Sequence, residues 1–456
     1  MRVHCLACLK GVFSSYVPLL PPSNLQAFFC WGVKPNIYFG LILQHCACSK
    51  SHFSESPPAR KPFERNATSP LSDHKVTVTM STVNESCGSE VVNVQFDNLG
   101  SAYTLHTVIG KGHKGASTIH LACHSGSSTQ VAIKRVNLEN WDQEYAYIQN
   151  EIVLTRQLQH EHILPHYCSF IHQHELWTVM PSMGFGSCRD LMQAFHTAGL
   201  PEIAIIYILR DVFKALVYLH SRGIIHRGVK ASHVLISGSG LVCLTGLHNA
   251  FSTVTGGEKL HVVYDYPQHA VDCLQWFSPE ILAQNLAGYD TKSDIYSMGI
   301  MACELANGQA PFADMPVTQM LLEKINGTKP MLADSSTCGE FIIDDNSMDE
   351  VDEEGRKRTP EEKANHIFFE RTFSPQLHHL ASLCLEKNSA QRPSACQMLE
   401  HQCFKSLRKK STEVLPEAFH PVTPLTSLAN VPKDSSVDED LARHMSEVSM
   451  EVDWNF

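Results

Sequence analysis

The chain predicts an α+β fold of two unequal parts, a small strand-rich half followed by a larger helical half, on three observations. Hydrophobic residues make up 43% of the 456 and charged residues 18%, enough apolar material for a sizeable core and too much for a chain disordered throughout. From Tyr103 to about Met180, short β-branched and apolar runs recur between Gly, Asn and polar clusters, the pattern of successive strands. After Ser187 the apolar spacing changes to three and four, the period of helices buried on one face. A net charge of -11 argues against a protein that neutralises phosphates along nucleic acid. The sixteen cysteines, spread from Cys5 to Cys403 without a compact framework, point to a reducing compartment rather than a secreted disulfide scaffold.

Taken in order, residues 1 to about 50 fit no folded class well. His4 and Lys10 break the apolar stretch that a signal peptide needs, and Ile37 to Leu43 is too short to span a membrane. Cys5 and Cys8, with Cys46 and Cys48, are spaced too irregularly to argue for zinc. A disordered or variant N-terminal extension is the preferred reading, passing into a Ser-, Pro-, Asn- and Thr-rich linker up to residue 98. Structure is expected from Tyr103. Strands are expected at Tyr-Thr-Leu from Tyr103, Ser-Thr-Ile-His-Leu-Ala from Ser117, Val-Ala-Ile-Lys-Arg-Val from Val131 and Leu-Trp-Thr-Val-Met from Leu176. Ile148, Ile152, Leu154 and Leu158 mark a helix over Asp142 to Gln159 among them. Further helices are expected at Glu202 to Ser221, Ser293 to Asn307 and Pro375 to Lys387. An acidic loop insertion is expected at about 332–366, where seven acids occupy the eleven positions from Asp344 to Glu354 ahead of Arg356, Lys357 and Arg358. From residue 405 a disordered, polar tail is expected, ending abruptly in Trp454, Asn455 and Phe456.

The motifs sharpen this outline. Gly110, Gly112 and Gly115 form a Gly-x-Gly-x-x-Gly after the strand ending at Ile109, and a second strand follows where a dinucleotide fold would place a helix. Alone the glycines say little. Val-Ala-Ile-Lys at 131–134 carries Ala132 and Lys134, the lysine 24 residues after Gly110, and the next helix carries Glu151. In protein kinases a strand lysine and a helix glutamate pair to hold nucleotide phosphates beneath such a glycine loop. His-Arg-Gly-Val-Lys-Ala-Ser-His at 226–233 matches the kinase catalytic loop in its His226, its Arg227 and its length. Gly228 stands where the catalytic aspartate would be, His233 where the magnesium-holding asparagine would be, and Gly246 opens the triplet Gly-Leu-His in place of Asp-Phe-Gly. Ser-Pro-Glu at 278–280, Asp294 and Arg392 complete the order of landmarks. Glu280 and Arg392 are expected to pair, and Asp294 to hold the catalytic-loop backbone.

The resemblance covers about Tyr103 to Phe404 and identifies a bilobal protein kinase fold. Lys-Ala-Ser-His-Val-Leu-Ile-Ser from Lys230, the run from Lys292 to Gly308 and the terminal Trp-Asn-Phe resemble the STE20-related adaptor pseudokinases, alpha more than beta. That resemblance implies an adaptor, cytoplasmic and nuclear, that allosterically activates the serine/threonine kinase liver kinase B in a heterotrimer with the helical-repeat scaffold calcium-binding protein 39. The family usually ends Trp-Glu-Phe, so Asn455 departs from it by one negative charge. Trp454 and Phe456 are expected to be the anchors that dock the scaffold.

Loss of a general base and of both metal-holding side chains argues against phosphoryl transfer, whose catalysis is positioning and charge neutralisation. A nucleotide site is still expected, with ATP held by Ile109, Gly110, Gly112, Gly115, Ala132, Lys134 and Glu151. Magnesium is not expected; Lys230 and His248 would supply positive charge where the metal sits. Two other readings stay open: an unconventional or weakly active kinase of the STE20 group, suggested by the intact Lys134 and Glu151, and a scaffold that binds no nucleotide.

Overall fold

A computed structural model of the chain describes residues 77–81, 91–112, 117–138, 145–338 and 368–425, apart from single positions within the last two ranges. The irregular cysteines before residue 50, Gly115, the acidic run 344–354 and the terminal Trp454 and Phe456 lie outside the described residues.

The first half is a five-stranded antiparallel sheet in the order β3-β4-β5-β7-β6. Its strands are β3 (Tyr103–Gly112), β4 (Ser117–His124), β5 (Thr129–Asn137), β6 (Cys168–His172) and β7 (Glu175–Pro181), and a two-stranded hairpin of β1 (Thr77–Ser81) and β2 (Val91–Gln95) precedes them. The period of two along β5 divides its side chains. Val131 and Ile133 enter one cluster with Tyr103, Tyr167 and Trp177, while Ala132, Lys134 and Val136 share the opposite face. Helix α1 (Tyr145–Gln157) crosses that second face. Ile148, Glu151 and Leu154 recur three apart on it and all are buried, so Glu151 sits on the apolar side of its helix, opposite the Lys134 face of β5.

The second half is helical. After β8 (Gly186–Ser187) come α2 (Cys188–Phe195) and α3 (Glu202–Ser221); Ser187 caps α2 by accepting a hydrogen bond from the Asp190 amide. Ile205, Ile208, Leu209, Val212, Leu216 and Leu219 of α3 are fully buried at three- and four-residue spacing and form the axis of the main core. Strands β9 (Val234–Ile236) and β10 (Val242–Leu244) form a small sheet with β8. The core is closed by α4 (Lys292–Asn307), α5 (Pro375–Cys384) and α6 (Ala395–Leu399), the last held by a Ser394–Gln397 capping box.

Four expected boundaries move. The stretch read as linker already contains the β1–β2 hairpin, and Phe96 beyond it is buried and stacked on Tyr167 with ring centroids 4.5 Å apart. The alternating Thr77-Val78-Thr79 is strand-like in itself, but the Ser- and Pro-rich surroundings masked it. The tail does not begin at 405 either: α7 (Ser411–Ala418) packs on α3, with Leu415 and Phe419 fully buried. The expected insertion at about 332–366 also starts too early, because Leu332 and Asp334 are buried and Ser335–Cys338 form a helical turn. The helix predicted to reach Lys387 ends at Cys384.

Arg392 meets Glu280 through two hydrogen bonds, Nη1 to Oε1 at 2.6 Å and Nη2 to Oε2 at 2.7 Å, both groups buried. Such planar, bidentate pairing is the strong form of an ion pair, and removing one partner leaves the other charge uncompensated. Glu280→Ala is expected to cost about 3–5 kcal/mol of stability, measured as a fall in the urea midpoint at unchanged slope; a loss within experimental error would deny the pair its structural role.

Candidate functional site

The residues singled out by sequence converge on the cleft between the sheet and the helical half. An apolar ring forms one end of it. Ala132, Met180 and Met183 from the sheet and the linker meet Leu164 and Cys243, with Ile109, Ile119, Leu235 and Leu241 packed against them, so both halves of the fold contribute. Gly110 and Gly112 on β3 pair with Ile119 and Ser117 across the ladder. At Gly112 there is no room for a side chain, since a Cβ would stand 2.6 Å from the Ser117 hydroxyl.

Behind this ring the Lys134 ammonium donates to Glu151 Oε2 at 2.8 Å. Burial by itself would raise the Glu151 carboxyl, but the lysine and the neighbouring His248 and His166 hold it well below the usual carboxylate range. Helix α1 is tied to the far wall as well, because the Asn150 amide donates to the carbonyls of His248 (3.2 Å) and Ala250 (2.9 Å). The ion pair and this amide together fix the helix against both sides of the cleft.

The catalytic-loop segment is held from below. Asp294, fully buried, accepts the backbone amides of His226 and Arg227, each at 2.9 Å, and the His220 Nε2 contact at 2.8 Å. This is the backbone role expected of it. Arg227 in turn donates to the Asn249 carbonyl, to the carbonyl and carboxylate of Asp265, and to the Tyr289 hydroxyl, so it anchors the segment that follows Gly246.

Where an active kinase holds metal, the arrangement differs from a set of deletions. His233 turns its ring inward, with Nδ1 2.6 Å from the Gly228 carbonyl. Its imidazole fills the space beside Gly246: a Cβ there would lie 2.5 Å from His233 Nδ1, and the glycine's φ of +84° is itself unfavourable for most side chains. At Gly228 a Cβ would find ordinary contacts of 3.5 Å or more. Glycine at 246 and histidine at 233 are therefore one coupled substitution. Among the described residues no group of three or more His, Cys, Asp or Glu side chains could hold a metal ion.

Two expected roles are corrected here. Lys230 does not present a free charge to the cleft: its ammonium bonds the Asp272 carboxylate at 2.9 Å and lies over the Trp276 ring. His248 is packed edge-to-face on His233, centroids 5.4 Å apart, and burial lowers its pKa to about 4, so it is neutral at pH 7. The physical reason is the same for both. Each group is packed among protein on most sides, where a charge persists only beside a partner; Lys230 has one in Asp272, whereas at His248 the influences of Glu151 and Lys134 oppose each other and burial prevails. Asp265 and Asp272 carry no motif in the sequence and were missed for that reason. Gly115 and the terminal Trp454 and Phe456 are not among the residues the cleft can be seen to assemble.

A protein kinase domain model matches residues 103–404. STE20-related kinase adapter protein alpha of Homo sapiens is 42% identical over 368 residues, covering 78% of this chain and 85% of that protein. The Bos taurus protein of the same name is 42% identical over 367 residues, 78% of this chain and 98% of that one. STE20-related kinase adapter protein beta of Homo sapiens is 38% identical over 343 residues, 70% and 80% of the two chains. A kinase-domain protein by its fold, the chain belongs to the STE20-related kinase adapter family.

The His233–Gly246 coupling predicts a non-additive pair. Gly246→Asp alone is expected to destabilise the protein strongly, whereas Gly246→Asp with His233→Asn recovers about 1–3 kcal/mol of that loss; additive effects in a double-mutant cycle would refute the steric coupling. The pH dependence follows from His166 and His248, both lowered by burial from 6.5 to about 4, and from His233, which burial also holds well below the usual imidazole range. Between pH 6.5 and about 4 the unfolded chain binds more protons at these imidazoles, so stability falls as pH falls through that window. Chemical denaturation at pH 7 and pH 5 should show it, and His248→Asn should make the decline shallower.

Proposed function

We propose that this chain is a catalytically inactive adaptor that binds ATP without magnesium and uses a closed, kinase-like shape to activate and localise a partner serine/threonine kinase. The observation that carries the reading is the combination of an intact Lys134–Glu151 ion pair with an imidazole packed where a metal-holding asparagine and aspartate would lie. The apolar ring of Ala132, Met180, Met183 and Leu235 suits the flat face of an adenine, and Gly110 and Gly112 suit close approach of phosphates to backbone. Lys134 supports an anionic ligand at that end of the cleft. With Gly228 in place of a base, the bound nucleotide would act through the closure it stabilises rather than through its γ-phosphoryl group. The relatives' name, kinase adapter, supports a kinase as client. Liver kinase B is proposed as that client, calcium-binding protein 39 as the scaffold of a heterotrimer captured by Trp454 and Phe456, and cytoplasm and nucleus as the setting.

The intact Lys134–Glu151 pair also supports a second reading, weak or unconventional phosphotransfer. A thermal-shift titration with ATP in magnesium and in chelator separates the possibilities. Stabilisation of comparable size in both is expected, about 2.7 kcal/mol at one hundred times the dissociation constant; a strict magnesium requirement would overturn the metal-free site. Absence of any shift would favour a scaffold without nucleotide, and radiolabelled turnover above that of Lys134→Met would favour the enzyme. For the tail, Trp454→Ala should weaken scaffold capture in a pull-down, costing about 2 kcal/mol or more, while leaving the ATP shift unchanged.

A further inference from the structure

The chain beyond the kinase-family match does not leave the domain at Phe404. Its described residues run back along the helical half and at Leu425 reach the linker between the two halves, residues 182–185. The Tyr207 hydroxyl on α3 donates to the Lys409 carbonyl at 2.8 Å, and the buried Ser411 bonds the Asp211 carboxylate of the same helix. Helix α7 then sets Leu415 and Phe419 into the main core. Phe419 meets Phe185 edge-on, ring centroids 5.4 Å apart, and the Leu425 amide donates to the Gly184 carbonyl at 2.9 Å. Between these ends, α7 presses on the β9–β10 turn. Gly240, with φ +87°, lies so close beneath the helix that a Cβ would stand 2.8 Å from Pro416 Cδ and 3.1 Å from the Ser411 carbonyl.

The two places touched are the two that shape the cleft. Gly184 and Phe185 continue directly from Met183, a member of the apolar ring, and Gly240 precedes Leu241, which packs on that ring from the other half. The Phe185 amide donates to the Ile236 carbonyl of β9 at 3.0 Å, so linker and cleft floor are already joined to each other. One segment of chain therefore braces both from outside. A linker is ordinarily among the first parts of a fold to open locally, and bracing it removes that freedom.

We propose that residues 409–425 form an intramolecular strap that fixes the linker and the cleft floor in one arrangement and thereby sets the affinity of the nucleotide site. The affinity half rests on the nucleotide reading above; the bracing half does not. Because coupling between two sites is reciprocal, a change at residues 409–425 would be felt in the cleft and nucleotide in the cleft would be felt at the strap.

Amide hydrogen exchange on the full-length protein tests it, comparing wild type with Leu425→Pro, which removes the amide donated to Gly184, and Phe419→Ala, which empties the contact with Phe185. The amides of Phe185, Gly186, Gly240 and Leu241 are expected to exchange about ten-fold faster or more in both variants, with α4 unchanged. Exchange at those four positions within about two-fold of wild type, or a uniform acceleration that includes α4, would overturn the strap in favour of ordinary packing. Should Phe419→Ala fail to fold, Leu425→Pro leaves the buried core in place and decides. ATP titration of the same variants should show a several-fold higher Kd, and a wild-type Kd beside altered exchange would overturn the affinity half. Absence of ATP binding by the wild type itself would sink the nucleotide reading, and the exchange comparison would still decide the bracing.

Discussion

The arrangement of the cleft depends on the ion pair between Lys134 and Glu151. It joins a strand to a helix through two charges that would each be costly to bury alone, so the helix has one position in which both are satisfied. That position brings Asn150 within reach of the carbonyls of His248 and Ala250, and through them the chain that follows Gly246 is set. Arg227 then holds the next stretch at Asp265, and Asp294 holds Arg227's own backbone. Sheet, helix and catalytic-loop region are thus linked by a short series of charged and neutral hydrogen bonds, each of which would leave a buried polar group short of a partner if it opened.

Against this retained frame, the change at the centre of the cleft is local and self-consistent. His233 and Gly246 fit only together, because the imidazole takes the space a side chain at 246 would need. His248 packs on His233, and the buried imidazoles stay neutral. Lys230 gives its charge to Asp272. Around Gly228, His233 and Gly246 the fold presents aromatic packing and internal pairing where the kinase motifs carry an aspartate, an asparagine and an aspartate.

Much of this was legible in the sequence where the signal is local. Lys134 in Val-Ala-Ile-Lys and Glu151 on the helix that follows were singled out as a pair by motif order, and the structure shows that pair. The Glu280–Arg392 pair and the role of Asp294 followed from motif order and were found as expected. The hairpin of Thr77–Ser81 with Val91–Gln95 and the helix at Ser411–Ala418 were not legible: the first is a pair of short strands in Ser-rich surroundings, and the second packs on a helix remote in the chain.

The sequence by itself determined the kinase fold, the order of its landmarks and the identity of the residues at 228, 233 and 246, because periodicity and spacing are properties of neighbouring residues. Only the tertiary structure decided which basic groups are charged and free. Lys230 and Asp272 are separated by 42 positions, and Arg227 and Asp265 by 38, distances over which no period links one residue to another. The protonation of His248 depends on how much water its packing excludes, a quantity set by the whole surrounding fold. The packing of residues 411–419 on the helical half was decided in the same way, by the fit of Phe419 against Phe185 rather than by any feature of the segment itself.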